Sequence, residues 1–151
     1  MPNSILRKFK EKDLENVGRC VVHKIIPVVC AYSGTDFKAI LNDYIRKDMK
    51  LEIALAIVNP ETDVMLGGID SILIDDVLLT SYYVLPYYQN HGICTKALGL
   101  FIEYIRKNNS DIKQIQLMIN KANIASRRVA SKCGFRIDKE NEFVEDWYFN
   151  L

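Results

Sequence analysis

The stretch Tyr83–Leu98, YVLPYYQNHGICTKAL, constrains this chain more than any other. Val84-Leu85-Pro86 ends a strand, because proline brings no N–H to a ladder. Gln89-Asn90-His91-Gly92-Ile93-Cys94 then makes a tight polar loop, and Thr95 opens an amphipathic helix. The first amides of a helix have no internal partner, and the helix dipole adds partial positive charge there. A strand that turns through such a loop into a helix aims those amides at one point, which suits a phosphate or pyrophosphate. The loop is neither a GxGxxG turn nor a Gly-Lys-Ser/Thr phosphate loop, since the required residues are missing.

The remaining residues supply a mixed α/β frame. Ser4–Lys10 predicts a short first strand, and Glu11–Val22 a helix with Leu14, Val17, Cys20 and Val21 on one face. Pro27 interrupts, and Val28–Tyr32 is ambiguous. Thr35 or Asp36 caps a second helix to about Asp48, with Phe37, Ile40, Leu41, Tyr44 and Ile45 as its buried stripe. Leu51–Val58, Val64–Ile74 and Val77–Leu85 read as an antiparallel meander, with turns at 59–63 and at Asp75-Asp76. Gly67-Gly68 inside the middle strand marks a bulge or a close backbone approach. Thr95–Lys107 is the strongest helix, and Ile112–Ile119 follows as a strand, giving a parallel pair with Val77–Leu85. Asn123–Cys133 is a last helix, with Gly134 at its left-handed cap. Phe135–Lys139 and Glu145–Asn150 form a closing hairpin.

With 151 residues, 49% hydrophobic and 26% charged, the chain fits one soluble domain spanning 1–151. A net charge of +1 supplies no global field for nucleic acid or an anionic membrane. Ile5-Leu6-Arg7-Lys8-Phe9 is too short and too charged for a signal sequence, and no apolar run is long enough to cross a bilayer. Cys20, Cys30, Cys94 and Cys133 are dispersed, with no CxxC and no histidine pattern. The expectation is reduced thiols, no metal site and a cytoplasmic protein.

Two blocks carry a family resemblance. The first is P-x-x-Q-x-x-G followed by a helix, at Pro86, Gln89, Gly92, Thr95, Ala97 and Leu98. The second is N-x-x-S-x-x-V-A-x-K-x-G-F, at Asn123, Ser126, Val129, Ala130, Lys132, Gly134 and Phe135. In this order, separated by a helix and a strand, they resemble the GCN5-related N-acetyltransferases (GNAT), nearest the branch with ribosomal-protein N-terminal acetyltransferases. The resemblance implies a mainly antiparallel sheet with one splayed parallel pair and helices on both faces. It implies acetyl-CoA as co-substrate and direct transfer to an amine acceptor, a protein N-terminus or a small molecule. The pyrophosphate would lie on Gln89, Asn90, His91, Gly92, Ile93, Cys94 and Thr95. The pantetheine arm would pair like a strand with Tyr82, Tyr83 and Val84, with a strand amide near the thioester oxygen. Asn123 would contact the arm, and Ser126 and Arg127 would lie near the pyrophosphate or adenosine end.

Four positions depart from the family pattern. Cys94 replaces a glycine or alanine, and Asn90 stands where relatives often have glycine. Ala130 replaces the tyrosine that many members use as general acid, and Met118 the glutamate that some use as base. No catalytic residue is assigned; Ser81, Ser131 and Asp70 are polar groups near the expected splay. Several residues keep two readings: His91 by its amide or its ring, Asn123 as helix cap or cofactor contact, and Glu140, Glu142, Glu145 and Asp146 as an amine attractor or a solvated edge. A non-catalytic CoA-binding module is the alternative function, and a purely structural protein the third. The protein would be a monomer, or a homodimer through its C-terminal hairpin.

Overall fold

The structure, a computed structural model, describes residues 4–23, 25, 36–46 and 51–151. Pro27, Val28–Tyr32, Cys30, Thr35 and Asp48 lie outside the described residues. Among those described, seven strands form one sheet in the order β1-β2-β3-β4-β5-β7-β6. They are β1 (Ile5–Arg7), β2 (Glu52–Val58), β3 (Met65–Ile74), β4 (Val77–Val84), β5 (Gln114–Asn120), β6 (Arg136–Glu140) and β7 (Val144–Asn150). The helices are α1 (Leu14–Val22), α2 (Phe37–Arg46), α3 (Ile93–Asn108) and α4 (Ile124–Lys132). All strand pairs are antiparallel except β4–β5, as the sequence predicts.

The sheet is buried on both sides at β2 and along most of β3, and β2 shows how. Ile53, Leu55 and Ile57 face one apolar cluster, with Leu98, Phe101 and Ile105 of α3. Ala54, Ala56 and Val58 face the other, with Val17 and Cys20 of α1 and Ile40, Leu41 and Tyr44 of α2. Successive strand residues point to opposite faces, so a strand covered twice must be apolar throughout.

Several boundaries move. The first strand shrinks to Ile5–Arg7, and the first helix opens with a 3-10 turn at Glu11–Asp13. Asp36 caps α2, accepting from the Lys38 and Ala39 amides at 3.1 Å each. Phe37 and Ile45 belong to the predicted stripe but are 41% and 39% exposed, because α2 turns only Ile40, Leu41 and Tyr44 fully inward. A 3-10 turn at Pro86–Tyr88 went unpredicted, and α3 starts at Ile93, not Thr95.

The glycine pair makes the predicted close approach. A Cβ on Gly67 would lie 2.0 Å from the Tyr83 carbonyl oxygen and 2.7 Å from Val84 Cα. Both are backbone atoms of β4, and Leu85 N–H ties that strand to Leu66 O at 2.8 Å. Nothing there can swing aside. Gly67→Ala is therefore expected to cost about 3 kcal/mol in denaturant unfolding, the upper end for overpacking. Gly99, on α3, has no atom within 4 Å of its would-be Cβ. Gly99→Ala should instead stabilise by about 0.5–1 kcal/mol, the helix-interior gain.

Charge fastens the edge of the sheet. Arg7 donates twice to buried Asp13, at 2.9 Å each, and by Nε to Asp63 at 2.6 Å. Lys12 pairs with the same Asp63 carboxylate. Lys12 and then Arg7 hold the Asp63 carboxyl well below the usual carboxylate range. Its contribution is present above the unfolded pKa of about 3.9 and fades as pH falls toward the folded value. Asp63 has φ 55°, a conformation asparagine also tolerates, so Asp63→Asn isolates the charge. The variant should melt below wild type at pH 7, and the difference should shrink as pH drops below about 4.

Candidate functional site

The parallel ladder opens partway. Its register runs from Val77↔Gln114 to Thr80↔Leu117 and stops there. Yet β4 goes on to Val84, paired with β3, and β5 goes on to Asn120, paired with β7. Because Leu85 N–H bonds to β3, strand alternation turns the main chain of Val84 and Tyr82 toward the vacated β5 side. The Gln89 side chain donates to the Val84 carbonyl at 3.3 Å on that side.

Past Val84 the chain makes the 3-10 turn and then the polar loop. Asn90 takes φ 62° and Gly92 φ 74°, both left-handed. Gly92 is the N-cap of α3, and no side chain caps that end. The helix-forming bond from Lys96 N–H to Gly92 O measures 3.1 Å. The amides of Ile93, Cys94 and Thr95 precede it and have no carbonyl a turn upstream.

A cavity of about 690 Å³ lies over this loop and the opening of the ladder. Its walls include eleven of the thirteen sequence-predicted residues: Tyr82, Tyr83, Val84, Gln89, Asn90, Gly92, Ile93, Cys94, Thr95, Asn123 and Ser126. His91 and Arg127 are not among them. His91 is exposed, and Arg127 donates by Nε to Glu145 at 3.1 Å. Arg128 and Lys132 face the cavity in its place, with Ile124, Ala125 and Val129. Ile124, Arg128 and Lys132 recur every four residues on α4, a helical stripe that leaves Arg127 off its line. That spacing was the signal available in the sequence. Ile25 and Tyr88 complete the lining and carried no such signal.

Asn123 serves as the cap: its Oδ1 accepts from Ser126 N–H at 3.1 Å while the residue also lines the cavity. The Tyr82 hydroxyl donates to the Ser126 carbonyl at 3.0 Å, and burial pushes that phenol above its ordinary pKa. Burial, then the neighbouring Cys133, pushes the Cys94 thiol up to about 12. The acidic group divides: Glu145 is buried, Glu140 pairs with Lys121 at 3.0 Å, and Glu142 is exposed. Ala130 is fully buried, and Met118 is 56% exposed on the sheet face away from α3 and α4. Ser131 is exposed and outside the cavity, and Asp70 and Ser81 are cross-strand neighbours one residue past the last paired row, also outside the cavity lining.

The family model described as Acetyltransferase (GNAT) domain matches residues 4–136. The chain belongs to the GNAT acetyltransferase family. Solved structures share the fold at low identity. A GNAT-family acetyltransferase from Bacillus anthracis has a TM-score of 0.75 at 18% identity, covering 98% of this chain and 93% of its own. A RimL ribosomal L7/L12 α-N-protein acetyltransferase in complex with coenzyme A has a TM-score of 0.80 at 14% identity, covering 100% and 96%. A spermidine N-acetyltransferase from Vibrio cholerae, in complex with CoA and spermine, has a TM-score of 0.75 at 16% identity, covering 97% and 95%. No match was found among curated proteins. Among the described residues, no helix is long and apolar enough to cross a membrane.

A thiol with a pKa near 12 carries almost no thiolate at neutral pH. Iodoacetamide at pH 8 should therefore alkylate Cys94 more than about a hundredfold slower than an exposed cysteine peptide, read by peptide mass spectrometry. Fast labelling would mean that Cys94 is a reactive group and not a packing one.

Proposed function

We propose that this protein is an acetyl-CoA-dependent N-acetyltransferase that moves an acetyl group directly to an amine. The observation that carries this reading is the ladder that stops at Thr80↔Leu117 while both strands continue, with a helix start that no side chain caps at its mouth. The residues fit the co-substrate along its length. The Ile93, Cys94 and Thr95 amides would hold the pyrophosphate, and Arg128 and Lys132 would balance the charge of the phosphates. The main chain of Tyr82 and Val84 would take the amide arm as an added strand, with Tyr83 in the wall. Gln89 would give up the Val84 carbonyl and turn to the phosphate end, beside Asn90 and Gly92. Asn123 and Ser126 would flank the arm. His91 and Arg127 keep at most a peripheral part, since neither lines the cavity.

Acetyl-CoA supplies the thioester acyl group. The Tyr82 N–H, directed into the opening, would donate to the carbonyl oxygen as the amine attacks and charge grows there. The C–N bond forms as the C–S bond breaks and CoA leaves as its thiolate; with alanine at 130 and methionine at 118, water would carry the amine proton away and reprotonate the sulfur. The acceptor is a protein N-terminus or a small amine, the two kinds of substrate named for the RimL protein and the spermidine enzyme. One domain over residues 1–151 and a cytoplasmic setting, in keeping with free thiols at Cys20, Cys94 and Cys133, complete the proposal.

Ala130 and Met118 also favour a second reading, a CoA-binding module without turnover. Thiol release from acetyl-CoA across a panel of amines and N-terminal peptides separates the two. Turnover with any acceptor supports the transferase, and tight binding with none supports the module. Arg128→Gln and Lys132→Gln are each expected to weaken acetyl-CoA in calorimetry by about five- to tenfold, the loss of one charge-assisted contact. The gap between wild type and variant should narrow as salt is raised. Unchanged affinity in both variants would remove the phosphates from this end of the cavity.

A further inference from the structure

The rows of side chains across the opening define a brace. On the α3/α4 face, Thr80, Leu117 and Trp147 form the last row that spans β4, β5 and β7. Two residues further along, the same face presents Tyr82 on β4 and Ile119 with Glu145 on β5 and β7. At this level β4 and β5 have parted. Tyr82 therefore stands on one lip of the opening, and Glu145 on the strand next to the other.

Both reach the same place. The Tyr82 hydroxyl donates to the Ser126 carbonyl at 3.0 Å. Glu145 Oε2 accepts from Arg127 Nε at 3.1 Å and from Trp147 Nε1 at 3.0 Å. Ser126 and Arg127 are consecutive in the first turn of α4, the turn whose Asn123, Ile124, Ala125 and Ser126 line the cavity. Otherwise α4 is lightly anchored: Ala130 is its one fully buried residue. Glu145 is 2% exposed, and a carboxylate so desolvated is retained at a cost unless its donors hold it.

We propose that Tyr82 and Glu145 are positioning residues: they tie the first turn of α4 across the opening, and this tie sets the width of the gap that admits the acyl donor. Neither side chain has to touch the reacting atoms. The proposal rests on the acetyl-CoA reading above. With the tie intact, the cavity wall and the main chain of Tyr82 keep a fixed separation. With either end cut, α4 shifts and the thioester is displaced from the Tyr82 amide. Affinity and kcat then fall together, whereas loss of a simple phosphate contact would raise KM alone.

The test is a double-variant cycle on the full chain with Tyr82→Phe, Glu145→Leu, which removes the acceptor, and the pair, following acetyl-CoA binding by calorimetry and turnover by thiol release. Each single change should weaken acetyl-CoA about fivefold, with kcat lowered as well. Because either cut releases the same tie, the double variant should be little worse than the weaker single, well short of the product. Losses that multiply, or affinity and kcat at wild-type values with only the melting temperature lowered, overturn the brace. Should Glu145→Leu fail to fold, Arg127→Met removes the donor at the half-exposed end of the same pair and is read the same way. Wild-type protein that binds no acetyl-CoA overturns the functional reading itself, an outcome distinct from any in the cycle.

Discussion

The structure turns on an interrupted set of main-chain hydrogen bonds. A parallel pair that simply continued would satisfy Tyr82 and Val84 against β5 and leave nowhere for a ligand. Here the pairing stops at Thr80↔Leu117, and β4 keeps only its β3 partner beyond that row. Each backbone group so released costs about 1–3 kcal/mol if left dry and unpaired. The fold meets part of that cost by placing the Gln89 side chain on the Val84 carbonyl. The rest must come from water or from a molecule that can hydrogen-bond like a strand. An extended amide chain is such a molecule, as strand addition by peptides shows.

The same segment carries the second constraint. Two left-handed residues, Asn90 and Gly92, bend the chain from β4 into α3 within a few positions. Each is a residue type that adopts this conformation at low cost. The bend leaves the start of α3 without a side-chain cap. A helix end normally uses serine, threonine or aspartate there, and a cap would occupy the space an anion needs. Gly67 completes the arrangement from behind, letting β3 press directly on the β4 backbone at Tyr83 and Val84. Left-handed backbone, missing cap and close packing all converge on the stretch that lines the cavity.

Much of this was legible in the sequence because it is local. Gly67-Gly68 as a close approach and Gly134 with φ 87° as a left-handed cap are each decided by a few neighbouring residues, as is the turn from β4 into α3, although α3 begins two residues earlier than the sequence predicts; Asn123, which the sequence leaves as cap or cofactor contact, acts as a cap. The parallel pair followed from strand–helix–strand order. What failed was rotational phase. The four-residue spacing of Ile124, Arg128 and Lys132 is in the sequence, but which face of the helix turns inward is set by packing: Glu145 takes Arg127, eighteen residues before it, and leaves Arg128 to the cavity. Glu145 itself sat among Glu140, Glu142 and Asp146 in an acidic run: strand alternation turns Asp146 to the opposite face, Glu142 lies in the turn between β6 and β7, and Glu140 is on the exposed edge strand. Phe37 and Ile45 failed for the same reason, at the margins of an apolar stripe whose centre was placed correctly.

The missing acid and base bear on how much catalysis such a site could deliver. General acid–base assistance contributes about 10²–10⁴ in rate, about 3–5 kcal/mol. Holding two reactants in attack geometry contributes about 7–11 kcal/mol, and one aimed N–H toward a forming oxyanion about 3–4 kcal/mol more. In the proposed reaction, reactant positioning and oxyanion stabilisation would depend on the width of the opening and the direction of the Tyr82 amide, which belong to the backbone, and not on residues 118 and 130. A thioester is already activated toward amines, so the proton that must leave can reach water through an open cavity. On these magnitudes, alanine at 130 and methionine at 118 lower the ceiling of the reaction without removing its main source.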